Sequence, residues 1–258
     1  MNPNTEIDIR NLEQPIAFVH IPKTAGTAFT RYLMSNMPSQ ECISPAFIKS
    51  YEAIEWENPR LKLFWGHFPF RDVRKLLLHA HFVTFLRDPI ARSISLYRSW
   101  SNPRNLPPGD PWRAAMTQEE LSDIEFVQQA SLDEFVLCDR PRLLAGLRDA
   151  QTSMLSITGD NNSPLFLQSA KETLEKGMSF FGIVERFSES IALFRSVFTY
   201  TSSYEVSADA ENRSEIIPTS LSLRARQRLE EFNANDLELY DFALGLFRCR
   251  VASLGLQV

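Results

Sequence analysis

Hydrophobic residues along this chain come in short solid runs, each followed by a stretch with helical spacing. Residues 16–20, IAFVH, are apolar up to a closing His and lie between Pro15 and Pro22. A run of that length without alternation predicts a strand covered on both faces. From about 27 to 36 the pattern changes, with Phe29 and Leu33 one turn apart on a predicted helix. The same sequence of events recurs downstream. LKLFWG (61–66) and HFVTFL (81–86) predict two further strands, FRDVRKLLL between them a helix, and SFFGIVE (179–185) a fourth strand. Asp88 is placed to cap the helix after 81–86, with Pro89 at its first position and Ile90, Ile94 and Tyr97 on one side. Residues 117–150 read as helices, and Ile191, Phe194 and Val197 mark a helix after the fourth strand. Near the C-terminus, Leu237, Tyr240, Leu244, Phe247 and Val251 form a stripe that predicts a core-facing helix. Strands that each lead into a helix imply an α/β fold on a parallel sheet, with a helical C-terminal part. Ligands in such sheets sit beyond the carboxyl ends of the strands.

One segment interrupts the pattern. SNPRNLPPGDPW (101–112) holds four prolines and one glycine and is expected to be a loop, of a length that often serves binding. Residues 1–15 are a polar extension, and no internal repeat is present, so a single domain over 1–258 is expected. Composition excludes more than it proposes. A net charge of −5 gives no general attraction to nucleic acid or anionic lipid, although it is compatible with a local basic pocket. Cys42, Cys138 and Cys249 are widely spaced and odd in number, which fits neither a disulfide framework nor a zinc site. The polar start and the absence of a long apolar stretch predict no signal peptide, no membrane span and a cytoplasmic protein.

Two places carry chemistry. The first is PKTAGT (22–27), between a strand end and a helix start. Such a junction presents unpaired N–H groups and the positive end of the helix dipole to one point, which favours an anion. Gly26 leaves room for close approach, Thr24 and Thr27 bring hydroxyls, and Lys23 brings a mobile positive charge. The triphosphate loop G-x-x-x-x-G-K-[ST] is not matched, because one glycine is missing and the Lys precedes the other. The second place is FLRDPIARSISLYRSW (85–100), where Arg87 ends a strand and Arg92 and Ser95 lie on the helix after it. A guanidinium and a hydroxyl so placed suit a second phosphate. Taken singly, each has a plainer explanation: a βα turn with an incidental Lys, and an Arg paired to a surface carboxylate.

Together they carry a resemblance. HIPKTAGT is similar to the 5′-phosphosulfate loop of the sulfotransferases, and RDPIARSISLY to their 3′-phosphate motif. FWGHFPF (64–70), AQTSMLSITG (150–159), FFGIVERFSESIALF (180–194), ENRS (211–214) and the closing NDLELYDFALGLF also resemble that family, in order, from residue 16 onward. The likeness is to the carbohydrate branch that includes the heparan sulfate and uronyl 2-O-sulfotransferases. It implies a P-loop-like sulfotransferase fold and an enzyme that moves a sulfuryl group from 3′-phosphoadenosine 5′-phosphosulfate (PAPS) to an acceptor hydroxyl, releasing 3′,5′-ADP without a metal. It assigns the donor to Lys23, Thr24, Ala25, Gly26, Thr27, Ala28, Arg87, Ser95 and Arg213, and catalysis to His67 as general base with Lys23 on the leaving oxygen.

Other residues are assigned by elimination. His79 and His81 are too few for a metal and are expected to be structural, and His20 lies near the donor without a defined role. Arg71, Arg74 and Gln151 are candidates to face the acceptor. Golgi members of the branch have a membrane anchor and lumenal cysteines, which this sequence lacks, so a soluble bacterial-type enzyme is expected. Its acceptor is then a glycan or another small or lipid-linked metabolite. Two alternatives stay open at this point: a P-loop-type kinase using ATP, and a non-catalytic adenine-nucleotide-binding protein that would not need His67.

Overall fold

The computed structural model describes residues 7–8, 12–35, 37–44, 60–105, 107, 110–199 and 221–255. Five parallel strands form the main sheet: β2 (Ile16–Val19), β3 (Cys42–Ile43), β4 (Leu63–Gly66), β5 (His81–Leu86) and β6 (Phe180–Ile183). Their order is β3-β4-β2-β5-β6, so the first of them lies at the centre. A separate parallel pair joins β1 (Ile7–Asp8) to β7 (Phe198–Thr199). Every residue of β2 and β6 is buried, which is why their sequences run apolar instead of alternating. Thr84 is the polar exception inside β5, and its hydroxyl is satisfied by donating to the Val19 carbonyl at 2.8 Å. Gly182 leaves room for the ring of Phe85, which a Cβ there would approach to 2.4 Å.

The strand α1 (Gly26–Met34) follows is β2, and α2 (Phe70–Leu76) follows β4. After β5 comes α3 (Pro89–Ser101), and after β6 comes α10 (Phe187–Val197). Phe29 of α1 meets Phe18, Phe85, Phe180 and Phe194 with ring centroids 4.8 to 6.1 Å apart, an aromatic cluster that fixes α1 on the sheet.

A second buried cluster forms where α3 meets four helices. These are α5 (Gln118–Gln129), α6 (Leu132–Leu137), α7 (Pro141–Leu147) and α11 (Leu223–Phe232), which contribute Val127, Phe135, Leu147 and Leu229. Thr117 and Ser131 start α5 and α6 with capping boxes to Glu120 and Glu134. A short helix α4 (Pro111–Ala114) precedes them, and α8 (Ala150–Leu155), α9 (Phe166–Glu172) and the long α12 (Ala234–Ser253) complete the chain.

The expected stripe of α12 is rotated. Its buried residues are Asp236, Leu239, Ala243, Phe247 and Val251, while Leu237, Tyr240 and Leu244 are only half-buried. Apolar residues occur around much of this helix, so spacing alone did not select the face, and the buried face that the stripe did not include begins with an aspartate, Asp236. Within 101–112, the first residue ends α3, a 3₁₀ turn covers Pro103–Asn105, and α4 begins at Pro111. No helix among the described residues is long and apolar enough to cross a membrane.

Candidate active site

Register delivers the site. Val19 stands beside Gly66 of β4 and Thr84 of β5, so three neighbouring strands end nearly level. The residues that leave those ends include His20, His67 and Arg87. His20 still pairs as a strand residue, its N–H donating to the Gly66 carbonyl at 3.0 Å.

Beyond it the backbone turns sharply, with Lys23 at φ 72° and Ala25 at φ 58°, both in the left-handed region. At the start of α1 the first bond from a helix N–H runs from Phe29 to the Ala25 carbonyl, 3.1 Å. The N–H groups of Gly26, Thr27 and Ala28 precede it and find no acceptor among the described residues. No side chain caps this end, and no acidic residue lies in its first turn. The positive end of the helix dipole is therefore uncompensated, and an anion is its natural partner. Thr27 is exposed beside it, and Ala25 and Ala28 are half-buried.

Two details of the loop depart from expectation. The Thr24 hydroxyl is turned inward, fully buried, and donates to the Ile21 carbonyl at 2.8 Å, so it braces the turn instead of facing an anion. The room left by Gly26 is filled from within: a Cβ there would lie 1.6 Å from His20 Nε2. The glycine is required by the imidazole packed over it.

That imidazole is stacked on Phe18, and its ring centroid lies 4.3 Å from that of His67. His67 Nδ1 is 2.7 Å from the His20 carbonyl oxygen. A carbonyl only accepts, so Nδ1 carries the proton and Nε2 presents its lone pair. Desolvation in this crowded recess, and in smaller part Lys23, pull the His67 pKa below its ordinary value, while the bond to His20 opposes them. The ring is neutral at physiological pH. It is also exposed on one side, within reach of an incoming group.

Arg87 ties the second motif to the first, its Nη1 donating to the Lys23 carbonyl at 3.3 Å. Its Nε is buried without a hydrogen-bond partner among the described residues and lies 3.8 Å from Glu185 Oε1. Asp88 caps α3 as expected, accepting from the Ala91 N–H at 2.7 Å. Ser95 is half-buried on the same helix, and no hydrogen bond engages its hydroxyl among the described residues.

Several candidates are employed elsewhere. Arg92 is fully buried and donates to the Gly146 and Leu147 carbonyls at 3.0 and 3.3 Å, closing the end of α7 instead of gripping an anion. Arg71 donates to the Ser153 carbonyl at 3.0 Å, at the end of α8, and so does not stand free for an acceptor. Arg74 is exposed, with its guanidinium 6.0 Å from the centre of the Phe70 ring. Gln151 does not face an acceptor, because it is fully buried. His81 packs edge-on to Phe198, and the described residues bring together no group of three or more metal-type ligands. Arg213 lies outside the described residues.

Sequence reasoning missed Glu185 and Tyr240. The Glu185 carboxylate accepts from Tyr240 Oη at 2.7 Å and from the Asp88 N–H at 3.1 Å, closing the side of the site next to Arg87. Glu185 sits in the FFGIVERF segment, so a signal was present. Tyr240 had been read as core.

A strand–loop–helix turn with bare helix N–H groups, a histidine at the end of the next strand and an arginine at the end of the strand on the other side thus meet at one edge of the sheet. The chain belongs to the sulfotransferase family, whose profile matches residues 9–243. Among curated proteins it is similar to heparan-sulfate 6-O-sulfotransferase 2 of Gallus gallus, at 27% identity over 90% of this chain and 66% of that protein. It is also similar to heparan-sulfate 6-O-sulfotransferase 3 of Homo sapiens, at 26% identity over 91% of this chain and 58% of that protein. The chain thus spans roughly three fifths of the length of these relatives. Both are named for the 6-O position, whereas the motifs were matched to a branch that includes 2-O enzymes.

Proposed function

We propose that this protein transfers a sulfuryl group from PAPS to an acceptor hydroxyl, with His67 as general base. The observation that carries the reading is the 2.7 Å bond from His67 Nδ1 to the His20 carbonyl. It holds the imidazole beside the anion cradle in the tautomer that accepts a proton at Nε2. The residues present suit the donor. Three N–H groups at the start of α1 without an acceptor among the described residues, together with the Lys23 charge, fit a phosphosulfate, and the Arg87 guanidinium held beside the Lys23 carbonyl fits a second phosphate.

PAPS, when bound, supplies a sulfuryl group joined to a phosphate that leaves readily. On this chain Lys23 neutralises the charge that builds on the departing oxygen, and the helix N–H groups hold the phosphate still. His67 Nε2 removes the proton of the attacking hydroxyl. His20, packed over Gly26, supports His67 through its backbone oxygen. The names of the curated relatives make a heparan-type glycosaminoglycan, sulfated at the 6-hydroxyl, the first acceptor to offer.

The test is His67→Asn, assayed for 3′,5′-ADP release from PAPS with a 6-O-desulfated heparan acceptor and, separately, for 3′,5′-ADP affinity. Loss of a general base lowers kcat by about 10²–10⁴-fold while nucleotide affinity is retained. Turnover within a few-fold of wild type would remove His67 from the mechanism.

A further inference from the structure

β5 ends at Leu86, whose last sheet partner is Ile183. At Arg87 the sheet stops supplying hydrogen bonds, and a side chain takes over. Gln151 Oε1 accepts from the Arg87 N–H at 2.9 Å, and its Nε2 donates to the Arg87 carbonyl at 2.8 Å. One amide thus plays the part of a neighbouring strand for this single residue, and it does so while fully buried.

The amide is anchored in turn. Asp149 precedes α8 in the left-handed region, at φ 41°, and makes no side-chain cap to its own helix. Its carboxylate instead accepts from the Asp236 N–H at 3.0 Å and from Asn235 Nδ2 at 2.8 Å, in the first turn of α12. Asp236 returns the favour, accepting from the Gln151 N–H at 3.0 Å and from the Thr152 N–H and hydroxyl, each at 2.7 Å. Two helices far apart in sequence therefore cap each other. Burying an amide and a carboxylate is costly compared with a hydrophobe of the same size. Mere packing between α8 and α12 gives no reason for such groups.

We infer that Gln151 and Asp236 are positioning residues of the donor site: Asp236 fixes the start of α8, and Gln151 fixes the backbone of Arg87, so that its guanidinium is aimed at the second phosphate. C-terminal helix α12, remote from the site in sequence, thereby sets donor affinity. This inference rests on the donor-site reading above and goes beyond it in naming what holds Arg87.

The experiment is calorimetric titration of 3′,5′-ADP and of 5′-AMP, which lacks the 3′-phosphate. The proteins are wild type, Gln151→Met, Arg87→Ala and the double variant. Gln151→Met keeps the volume and removes both bonds. It is expected to weaken 3′,5′-ADP about tenfold, or ~1.4 kcal/mol, and to leave 5′-AMP affinity unchanged. In the Arg87→Ala background it is expected to cost nothing further, since residues that act through one another are not additive. Equal losses for both ligands, additive losses in the double variant, or unchanged affinity would each overturn the inference. Should Gln151→Met fail to fold, Asp236→Asn carries the same cycle with the same expectations, because an amide cannot accept all three bonds as a carboxylate does. Wild type that does not bind 3′,5′-ADP would instead bring down the donor-site reading itself. That outcome is distinct from wild type that binds beside an indifferent Gln151 variant.

Discussion

His20 serves the site through two atoms with different consequences. Its carbonyl oxygen sets the tautomer of His67, while its ring is buried between Phe18, His67 and the Cα of Gly26. Burial first, then the His67 and Lys23 charges, hold the ring's pKa down at about 3 against an ordinary 6.5. Between those values the unfolded chain takes up a proton that the folded chain refuses. Stability from the neutral ring is therefore fully present above pH 6.5 and is lost as pH falls toward 3. The slope is at most about 1.4 kcal/mol per pH unit for one proton. Urea unfolding from pH 4 to pH 8 is expected to show this loss in wild type and a shallower dependence in His20→Asn. Parallel curves would mean that the ring titrates normally. That His67 stands at a strand end was legible, from Gly66 before it and Pro69 after it. Its partner was not, since a backbone carbonyl leaves no trace in sequence.

At the scale of elements, α1 enters with strain. Ala25 precedes it at φ 58° and ψ 21°, a conformation that costs a residue with a Cβ roughly 1 kcal/mol relative to glycine. Part of that is returned because alanine restricts the unfolded chain more than glycine does. Ala25→Gly is expected to stabilise the protein by about 0.5 kcal/mol, which raises Tm by roughly 1–2 °C. A lower Tm would show that the turn is not held in the left-handed region.

The solid apolar runs identified four of the five strands of the main sheet, because burial on both faces writes itself into sequence. The two-residue strands β1, β3 and β7 carry no such pattern. The capping boxes of α5 and α6 were there to be read as T-x-x-E and S-x-x-E. The mutual caps of α8 and α12 were not, since they join positions about as far apart as 149 and 236. The same pairing explains the misjudged face of α12, where Asp236 is buried because it has three donors to satisfy.

Over the whole molecule, the parallel sheet turns distance in sequence into adjacency. Lys23 and Arg87 are 64 positions apart and meet at 3.3 Å, and His20 and His67 are 47 apart and meet at 2.7 Å. The two motifs were legible as neighbours because each follows a strand of the same parallel sheet. The acceptor side was less legible. Arg71 and Gln151 looked available in sequence but are bound to backbone groups of the fold, and charge or amide character alone does not reveal such a commitment.

The central claim is that the α1 cradle and Arg87 together hold the two phosphates of 3′,5′-ADP. Thermal unfolding with 3′,5′-ADP, 5′-AMP and ATP with magnesium tests it most directly. At 100 times its Kd, a specific ligand stabilises by about 2.7 kcal/mol, a rise of several degrees for a chain of this size. The account predicts that rise with 3′,5′-ADP, without magnesium, and a much smaller one with 5′-AMP at the same concentration. A rise with ATP and magnesium alone would contradict it and return the loop to a nucleoside triphosphate.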